Sequence, residues 1–288
     1  MKKLLLLSGK GGTGKTTTAA AFAKFAQVQA LADCDVDAPN LHLLFGQEKP
    51  AFSFPFIGSE KAAIQKELCQ GCGKCIEECR FHAVNLVDGK AAINEYFCEG
   101  CGVCAYVCPQ QAIKLVEDVA GQQQLYQEER TFSTAQLKMG RGNSGKLVTA
   151  VKSTLFQHAP NCDLAIIDGS PGIGCPVLAS MSGVDLVLIV AEPSLSGLSD
   201  VQRLVQTAQG LNTRLALCIN KYDSSPVHTA ALEAFCQEQK LPLVGRIPYD
   251  ATASQAINKG LSLADIHCPA HTALQNAYKN VMRLLELI

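Results

Sequence analysis

Long apolar runs are missing from this chain. No stretch approaches the roughly 18 consecutive apolar residues that a membrane-crossing helix needs, so no membrane insertion is expected. A dominant charge is missing too: 25 lysines and arginines face 26 aspartates and glutamates, a formal net charge of −1, and only 18% of residues are charged. Binding to nucleic acid or to an anionic membrane surface calls for a basic excess, so neither partner is expected. Leu4–Leu7, behind Met1, Lys2 and Lys3, are too few for a signal h-region and run straight into a glycine-rich loop, so they read as a strand. Nothing marks the chain as secreted, and a cytoplasmic location is expected. Its 288 residues exceed one typical domain and suit a large α/β core with a small insert.

Cysteine, by contrast, is abundant, with fourteen in the chain. Cys69, Cys72, Cys75 and Cys79 form a CxxCxxCxxxC run, which Cys98, Cys101, Cys104 and Cys108 repeat 29 residues later, an internal duplication. Three cysteines two residues apart on a tight loop can supply three corners of a cubane iron-sulfur cluster, and the fourth thiolate must come from elsewhere. Structural zinc uses two separated CxxC pairs rather than a compact run of four, and disulfides belong to oxidising compartments. Gly71, Gly73, Gly100 and Gly102 lie between the ligands, where backbone must approach sulfide closely. The remaining Cys34, Cys162, Cys175, Cys218, Cys236 and Cys268 stand at no ligand spacing and are expected to be buried or half-buried thiols.

From Cys69 to about Val116 the stretch resembles the bacterial two-cluster 4Fe-4S ferredoxin. That resemblance implies crossover ligation, in which the last cysteine of each run serves the other cluster. Cys69, Cys72, Cys75 and Cys108 would hold one cluster, and Cys98, Cys101, Cys104 and Cys79 the other. Pro109 completes the family's usual ending after Cys108, whereas Arg80 replaces the proline after Cys79.

The leucine strand leads into Gly9, Lys10, Gly11, Gly12, Thr13, Gly14, Lys15 and Thr16, followed by the alanine-rich helical segment 17–26. In this strand-loop-helix order GxxxxGKT is a phosphate cradle. Backbone N–H groups and the helix N-terminus, including Thr17, face the phosphates, Lys15 reaches the β/γ-phosphates, and Thr16 offers a hydroxyl to Mg2+. A second strand, 29–32, ends in Asp33, Asp35 and Asp37, and a third, 164–167, ends in Asp168, acids at strand ends where α/β sheets bind ligands. Apolar runs at 185–190 and 215–219 alternate with helical stretches at 197–208 and 227–238, which implies a mostly parallel sheet. Residues 122–135 suggest a hairpin. Leu274, Tyr278, Val281, Leu285 and Ile288 share one face of a C-terminal helix expected to dock on the body.

KGGTGKT, with Lys10 directly after the first glycine, resembles the deviant Walker A of the MinD and nitrogenase-iron-protein class of ATPases. The resemblance implies that Lys10 reaches the nucleotide of a facing subunit in an ATP-dependent homodimer, that Asp35 orients the attacking water, and that Asp168, with Thr16 and Asp37, holds Mg2+. It also makes residues 169–174 a switch loop, and places Asn220, Lys221, Pro248 and Tyr249 beside the base. Asn220, Lys221, Tyr222 and Asp223 form an NKxD tetrad, which leaves ATP and GTP both open. The whole layout resembles MinD-superfamily ATPases with an inserted ferredoxin domain, a group often labelled cobyrinic acid a,c-diamide synthase-like. The chain has no glutaminase constellation of Cys and His, so that activity is not expected.

The expected architecture is an α/β P-loop NTPase sheet, mostly parallel with helices on both faces, in residues 1–60 and 119–288, interrupted at 61–118 by a small α+β ferredoxin-like domain. The leading functional expectation is an ATPase that couples nucleotide hydrolysis to electron transfer through two 4Fe-4S clusters toward an unidentified redox partner. A cluster carrier or assembly ATPase, and a partition-type scaffold with structural clusters, are the alternatives.

Overall fold

The computed structural model of the chain describes residues 1–46, 49–211 and 213–288. Two compact units emerge, one of residues 1–53, 123–136 and 144–288, the other of residues 54–122 and 137–143. The chain opens with β1 (Lys2–Leu7), α1 (Lys15–Phe25), β2 (Ala30–Asp33) and β3 (Phe52–Ile57). In the second unit follow β4 (Lys61–Ile64), α2 (Lys74–Glu77), β5 (Val84–Val87), β6 (Lys90–Ile93), α3 (Val103–Tyr106) and β7 (Ile113–Val116).

This second unit repeats itself in backbone as well as in sequence. β4 pairs antiparallel with β7, and β5 with β6. The single-turn helices α2 and α3 each follow a left-handed glycine, Gly73 at φ 82° and Gly102 at φ 79°, and His82 and Gln111 both sit at φ 51°. A small core joins the halves: Ala62, Ala83, Val84, Ala91 and Ile113 pack with Cys75, Cys98 and Cys104. The two cysteine loops press on backbone at equivalent places. A Cβ on Gly71 would lie 2.1 Å from the Gly89 carbonyl oxygen, and one on Gly100 2.0 Å from that of Glu60.

The chain returns through β8 (Val119–Gln127) and β9 (Thr131–Leu137), adjacent strands where a hairpin was expected. There follow α4 (Ser144–His158), β10 (Leu164–Asp168), α5 (Cys175–Met181), β11 (Leu186–Ala191) and α6 (Leu195–Gln209). The last elements are β12 (Leu215–Asn220), α7 (Pro226–Glu238), β13 (Leu243–Ile247), α8 (Ala251–Asn258) and α9 (Pro269–Leu284). Within the first unit the strands order as β13-β12-β11-β1-β10-β2-β9, every pairing parallel.

The reason is legible in β1. Leu4, Leu5, Leu6 and Leu7 are all fully buried, as a strand covered on both faces requires. Side chains alternate along a strand, and Leu4 and Leu6 join a core with Ala19–Ala23 of α1 and Leu274, Ala277 and Val281 of α9. Leu5 and Leu7 face the other way, where α5 contacts β1 and α4 contacts β2. On α9, Leu274, Val281 and the following Leu285 are buried, and Tyr278 meets Phe22 edge-on at 5.4 Å. Ile288 departs from the expected stripe: the helix ends at Leu284 and Ile288 is exposed. Cys175 also departs from expectation, exposed as the first residue of α5, whereas Cys34, Cys218 and Cys236 are buried and Cys162 and Cys268 half-buried. Among the described residues no helix is long and apolar enough to cross a membrane.

Ala at Gly100 or at Gly102 takes on a left-handed backbone, a strain of about 1–3 kcal/mol in either place, and Gly100→Ala alone adds a clash with the Glu60 carbonyl. Gly102→Ala meets only Leu115 Cδ1, at 3.5 Å. Hydrogen exchange across 61–116 is expected to accelerate clearly more in the first variant, and equal effects would deny the close approach.

Candidate functional site

The strand order runs outward in opposite directions from β1, through β10 on one side and β11 on the other. A crevice opens at such a point beyond the strands' carboxyl ends. The loop after β1 enters it and turns into α1, whose first backbone N–H groups lack partners within the helix and face the crevice with the positive end of the helix dipole. Gly9 packs so tightly on α6 that a Cβ there would lie 2.0 Å from Asp200 Cβ. Asp168, at the end of β10 and fully buried, accepts from Lys15 Nζ at 2.6 Å and from Thr16 Oγ1 at 2.6 Å. Burial works against the Lys15 charge, but the contact with Asp168, with Asp33 and Asp35 farther off, holds its ammonium above the ordinary lysine range.

Asp33 pairs in register with Asp168 across β2 and β10. Burial first, and then the Asp168 charge, push the Asp33 carboxyl above the usual carboxylate range, while the Leu41 N–H, Lys15 and the Asp35 N–H pull it back toward the ionised form. Its oxygens accept N–H groups from Asp35, Asn40 and Leu41, each at 3.0 Å. Asp35 and Asn40 then line a cavity with Ser8, Pro171 and residues 11–17. Burial also raises the Asp35 carboxyl, partly offset by Lys15. In the same cavity Thr13 Oγ1 is buried and has no hydrogen-bond partner. A buried hydroxyl left orphaned calls for an acceptor, and a phosphate oxygen is a fitting one. Asp37 is not brought to this cavity; it is exposed on the loop. Across the cavity, the 169–174 loop is tied to the loop after β2, since Ser170 Oγ donates to the Cys34 carbonyl at 2.6 Å. Gly172 N–H donates to the Ser8 carbonyl at 2.9 Å.

A second cavity adjoins Gly12, Gly14 and Thr17 and is lined by Asn220, Lys221, Ile247, Pro248, Tyr249 and Asp250 among others. Here the structure brings together the residues expected beside the base. Asn220 Nδ2 donates to the Thr13 carbonyl at 2.7 Å, and only the missing side chain of Gly14 leaves room for that amide. Lys221 Nζ reaches the Gly12 carbonyl at 3.3 Å. Asp223 is not among the lining residues; its carboxylate accepts the Tyr249 N–H at 2.7 Å. The first half of the NKxD tetrad therefore braces the glycine loop, and its aspartate braces the loop that carries Tyr249.

Lys10 does not face the phosphate cavity. Its ammonium pairs with Glu192 at 2.7 Å and touches Ser194 and Ser196 hydroxyls at 3.3 Å. Glu192 also takes Lys221 at 3.3 Å, and the hydrogen bond from Lys10 leads the effects that hold its carboxyl below the usual range. Sequence reasoning missed Glu192, although its position just past β11 matches that of the acids ending β2 and β10. It missed Lys152 as well, buried mid-helix in α4, whose ammonium caps the carboxyl end of α5 through the Ala179, Ser180 and Ser182 carbonyls at 2.9, 2.7 and 2.6 Å. Burial brings that ammonium down to about 8.

In the second unit two cavities each have four cysteines in their walls. Cys69, Cys72, Cys75 and Cys108 line one, and Cys79, Cys98, Cys101 and Cys104 the other. Backbone N–H groups point at four of the sulfurs, all at 3.4 Å: Ala91 to Cys69, Ala112 to Cys108, Ala62 to Cys98 and Ala83 to Cys79. The Ala91 and Gly71 N–H groups lower the Cys69 thiol. Cys75 is raised, by burial and then by Cys108, Cys69 and Cys72; Cys104 is raised by burial and then by Cys98, Cys101 and Cys79. Among the described residues no three His, Cys, Asp or Glu side chains stand as a shell for a single metal ion.

Residues 4–263 match the CobQ/CobB/MinD/ParA nucleotide binding domain. An uncharacterized protein of Methanocaldococcus jannaschii, MJ0578, is 31% identical over 98% of this chain and 97% of its own length. An iron-sulfur cluster carrier protein of the same organism is 24% identical over 43% of this chain and 47% of its own length. The septum site-determining protein MinD of Pyrococcus horikoshii, solved with Mg-ADP, superposes with a TM-score of 0.60 at 17% identity, covering 98% of this chain and 96% of that one.

Asn220→Ala removes the donor to the Thr13 carbonyl. One such bond typically contributes about 0.5–1.5 kcal/mol, so nucleotide affinity is expected to drop by roughly twofold to tenfold. Titration with a fluorescent nucleotide measures it, and an unchanged affinity would remove the brace from the site.

Proposed function

Because the chain belongs to the CobQ/CobB/MinD/ParA nucleotide binding domain family and is a P-loop ATPase of the MinD/ParA type, we propose that it couples ATP hydrolysis to electron transfer through two 4Fe-4S clusters. The observation that carries this reading is the pair of cysteine-walled cavities, each closed by the last cysteine of the other run. When bound, the clusters supply one-electron chemistry. Eight cysteine thiolates hold them, four of those sulfurs receive a backbone N–H, and such hydrogen bonds are among the determinants of a cluster's potential. Four gathered thiolates repel one another strongly unless a cationic group sits between them, which is the physical case for a cluster in each cavity.

In the ATPase unit, ATP lies with its phosphates on residues 9–17 and its base toward Asn220, Lys221, Pro248 and Tyr249. The donor set of Thr16 hydroxyl and Asp168 carboxylate is all oxygen, as Mg2+ prefers, and holds the ion, while the exposed Asp37 stays outside that set. Asp35 orients the attacking water. Lys15 and the loop N–H groups stabilise charge on the phosphoryl oxygens, and Lys10 adds to this from the facing subunit of an ATP-dependent homodimer. Lys10 must exchange Glu192 for phosphate to do so, and a lone subunit, without a partner's lysine, has an incomplete site.

The partial likeness to an iron-sulfur cluster carrier favours a second reading, in which the chain delivers its clusters to a client. One set of measurements on anaerobically reconstituted protein separates the two. Reduction by dithionite is expected to give the paramagnetic signal of two interacting 4Fe-4S centres, with a midpoint potential that differs between the ATP and ADP states. A potential indifferent to nucleotide would sink the coupling. Rapid, complete loss of iron to an apo-acceptor would establish the carrier instead.

Lys10→Ala should abolish ATP-induced dimerisation in light scattering while iron content stays at the wild-type level. A variant that dimerises and hydrolyses ATP normally would remove Lys10 from the site.

A further inference from the structure

Asp33 has no place in the mechanism so far. It is fully buried and absent from the walls of the phosphate cavity. Yet three backbone N–H groups converge on it. One oxygen accepts from Asp35, two residues on; the other accepts from both Asn40 and Leu41, seven and eight residues on. The loop after β2 therefore wraps around a single carboxylate. Leu41, at its far end, is fully buried in the core with Leu31 and Phe132, so the loop's exit is anchored by packing as well. Asp35 and Asn40, the two loop residues that line the phosphate cavity, are both held by this one side chain.

We propose that Asp33 is a positioning residue for ATP hydrolysis: its carboxylate clips both ends of the 35–40 loop and sets where the Asp35 side chain stands against the phosphate cavity. The proposal rests on the reading above that Asp35 orients the attacking water. A carboxylate is the required chemistry, because it alone offers acceptor oxygens on both sides with no donor. An asparagine keeps one acceptor and turns an NH2 toward either the Asp35 N–H or the Asn40 and Leu41 N–H pair. Donor then faces donor in a buried place, and that end of the loop is released. A water-orienting group displaced by about 1 Å can lose up to a hundredfold in rate while the rest of the site still binds substrate.

The test compares Asp33→Asn, Asp35→Asn and the wild-type chain in kcat, nucleotide affinity and hydrogen exchange. For Asp33→Asn, kcat is expected to fall about tenfold to a hundredfold with ATP affinity within about threefold of wild type, and the amides of 35–41 to exchange faster while those of β10 do not. In the wild-type chain the Asp35, Asn40 and Leu41 amides should be protected well beyond an exposed loop; fast exchange there overturns the proposal even if the variant fails to fold. An unchanged kcat in Asp33→Asn with a collapsed kcat in Asp35→Asn also overturns it, leaving the role of Asp35 intact. Loss of Mg2+ or nucleotide affinity in proportion to kcat, with 35–41 exchange unchanged, would make Asp33 a binding group and overturn it too. If Asp35→Asn keeps full kcat, the water-orienting reading itself fails.

Discussion

The ion pair between Lys15 and Asp168 is the constraint on which the rest of the nucleotide unit depends. Both groups are buried, at 6% and 0% side-chain exposure, and a buried charge without its partner is strongly destabilising. Meeting at 2.6 Å obliges the start of α1 to lie over the end of β10, and the glycine loop between β1 and α1 has no other course than through the crevice beside them. Asp33 on the neighbouring strand extends the arrangement, and the loop after β2 is shaped around it. Asp33, Asp168 and Lys15 are buried together, and the half-buried Asp35 adds a third acid beside them. The surplus of negative charge makes the place attractive to a divalent cation, whose own charge reverses the local balance.

The second unit poses the same electrostatic question with sulfur. Each cavity gathers four thiols whose ionised forms repel, and burial works against ionisation of Cys75 and Cys104. Backbone N–H groups point at Cys69, Cys79, Cys98 and Cys108 at equivalent places in the two halves, because the duplicated sequence folds into duplicated loops. The last cysteine of each run is carried to the other cavity by the β-strands that interlock the halves, so neither run can complete its set alone. On the proposed reading, that interdependence favours retention of the clusters over their release.

Much of this was legible in residue order. The apolar runs of β1, β10, β11 and β12 announced strands buried on both faces, and the strand-loop-helix context of residues 4–26 located the phosphate cradle. Asp35 lines one cavity beside residues 11–17, and Asn220, Lys221, Pro248 and Tyr249 line another. Less legible were side chains whose partners come from distant elements. The NKxD spacing did not show that Asn220 and Lys221 meet carbonyls more than 200 residues away and Asp223 a backbone N–H 26 residues on. Glu192 carried a faint signal, an acid past a buried strand. Lys152 carried none, because a lysine in a helix ordinarily lies on the solvated face and only the approach of α5 gives it three carbonyls.

By itself the sequence determined the parallel α/β plan, the glycine loop and the duplication of a cysteine run at identical spacing, because these rest on local periodicity, backbone freedom and spacing. Tertiary structure alone decided which of three closely spaced acids is buried, which lines the phosphate cavity and which faces solvent. It also decided that Lys10 rests on Glu192 within its own chain. Those outcomes turn on desolvation and on which distant N–H or ammonium arrives first at a carboxylate, and such quantities exist only once the chain has folded.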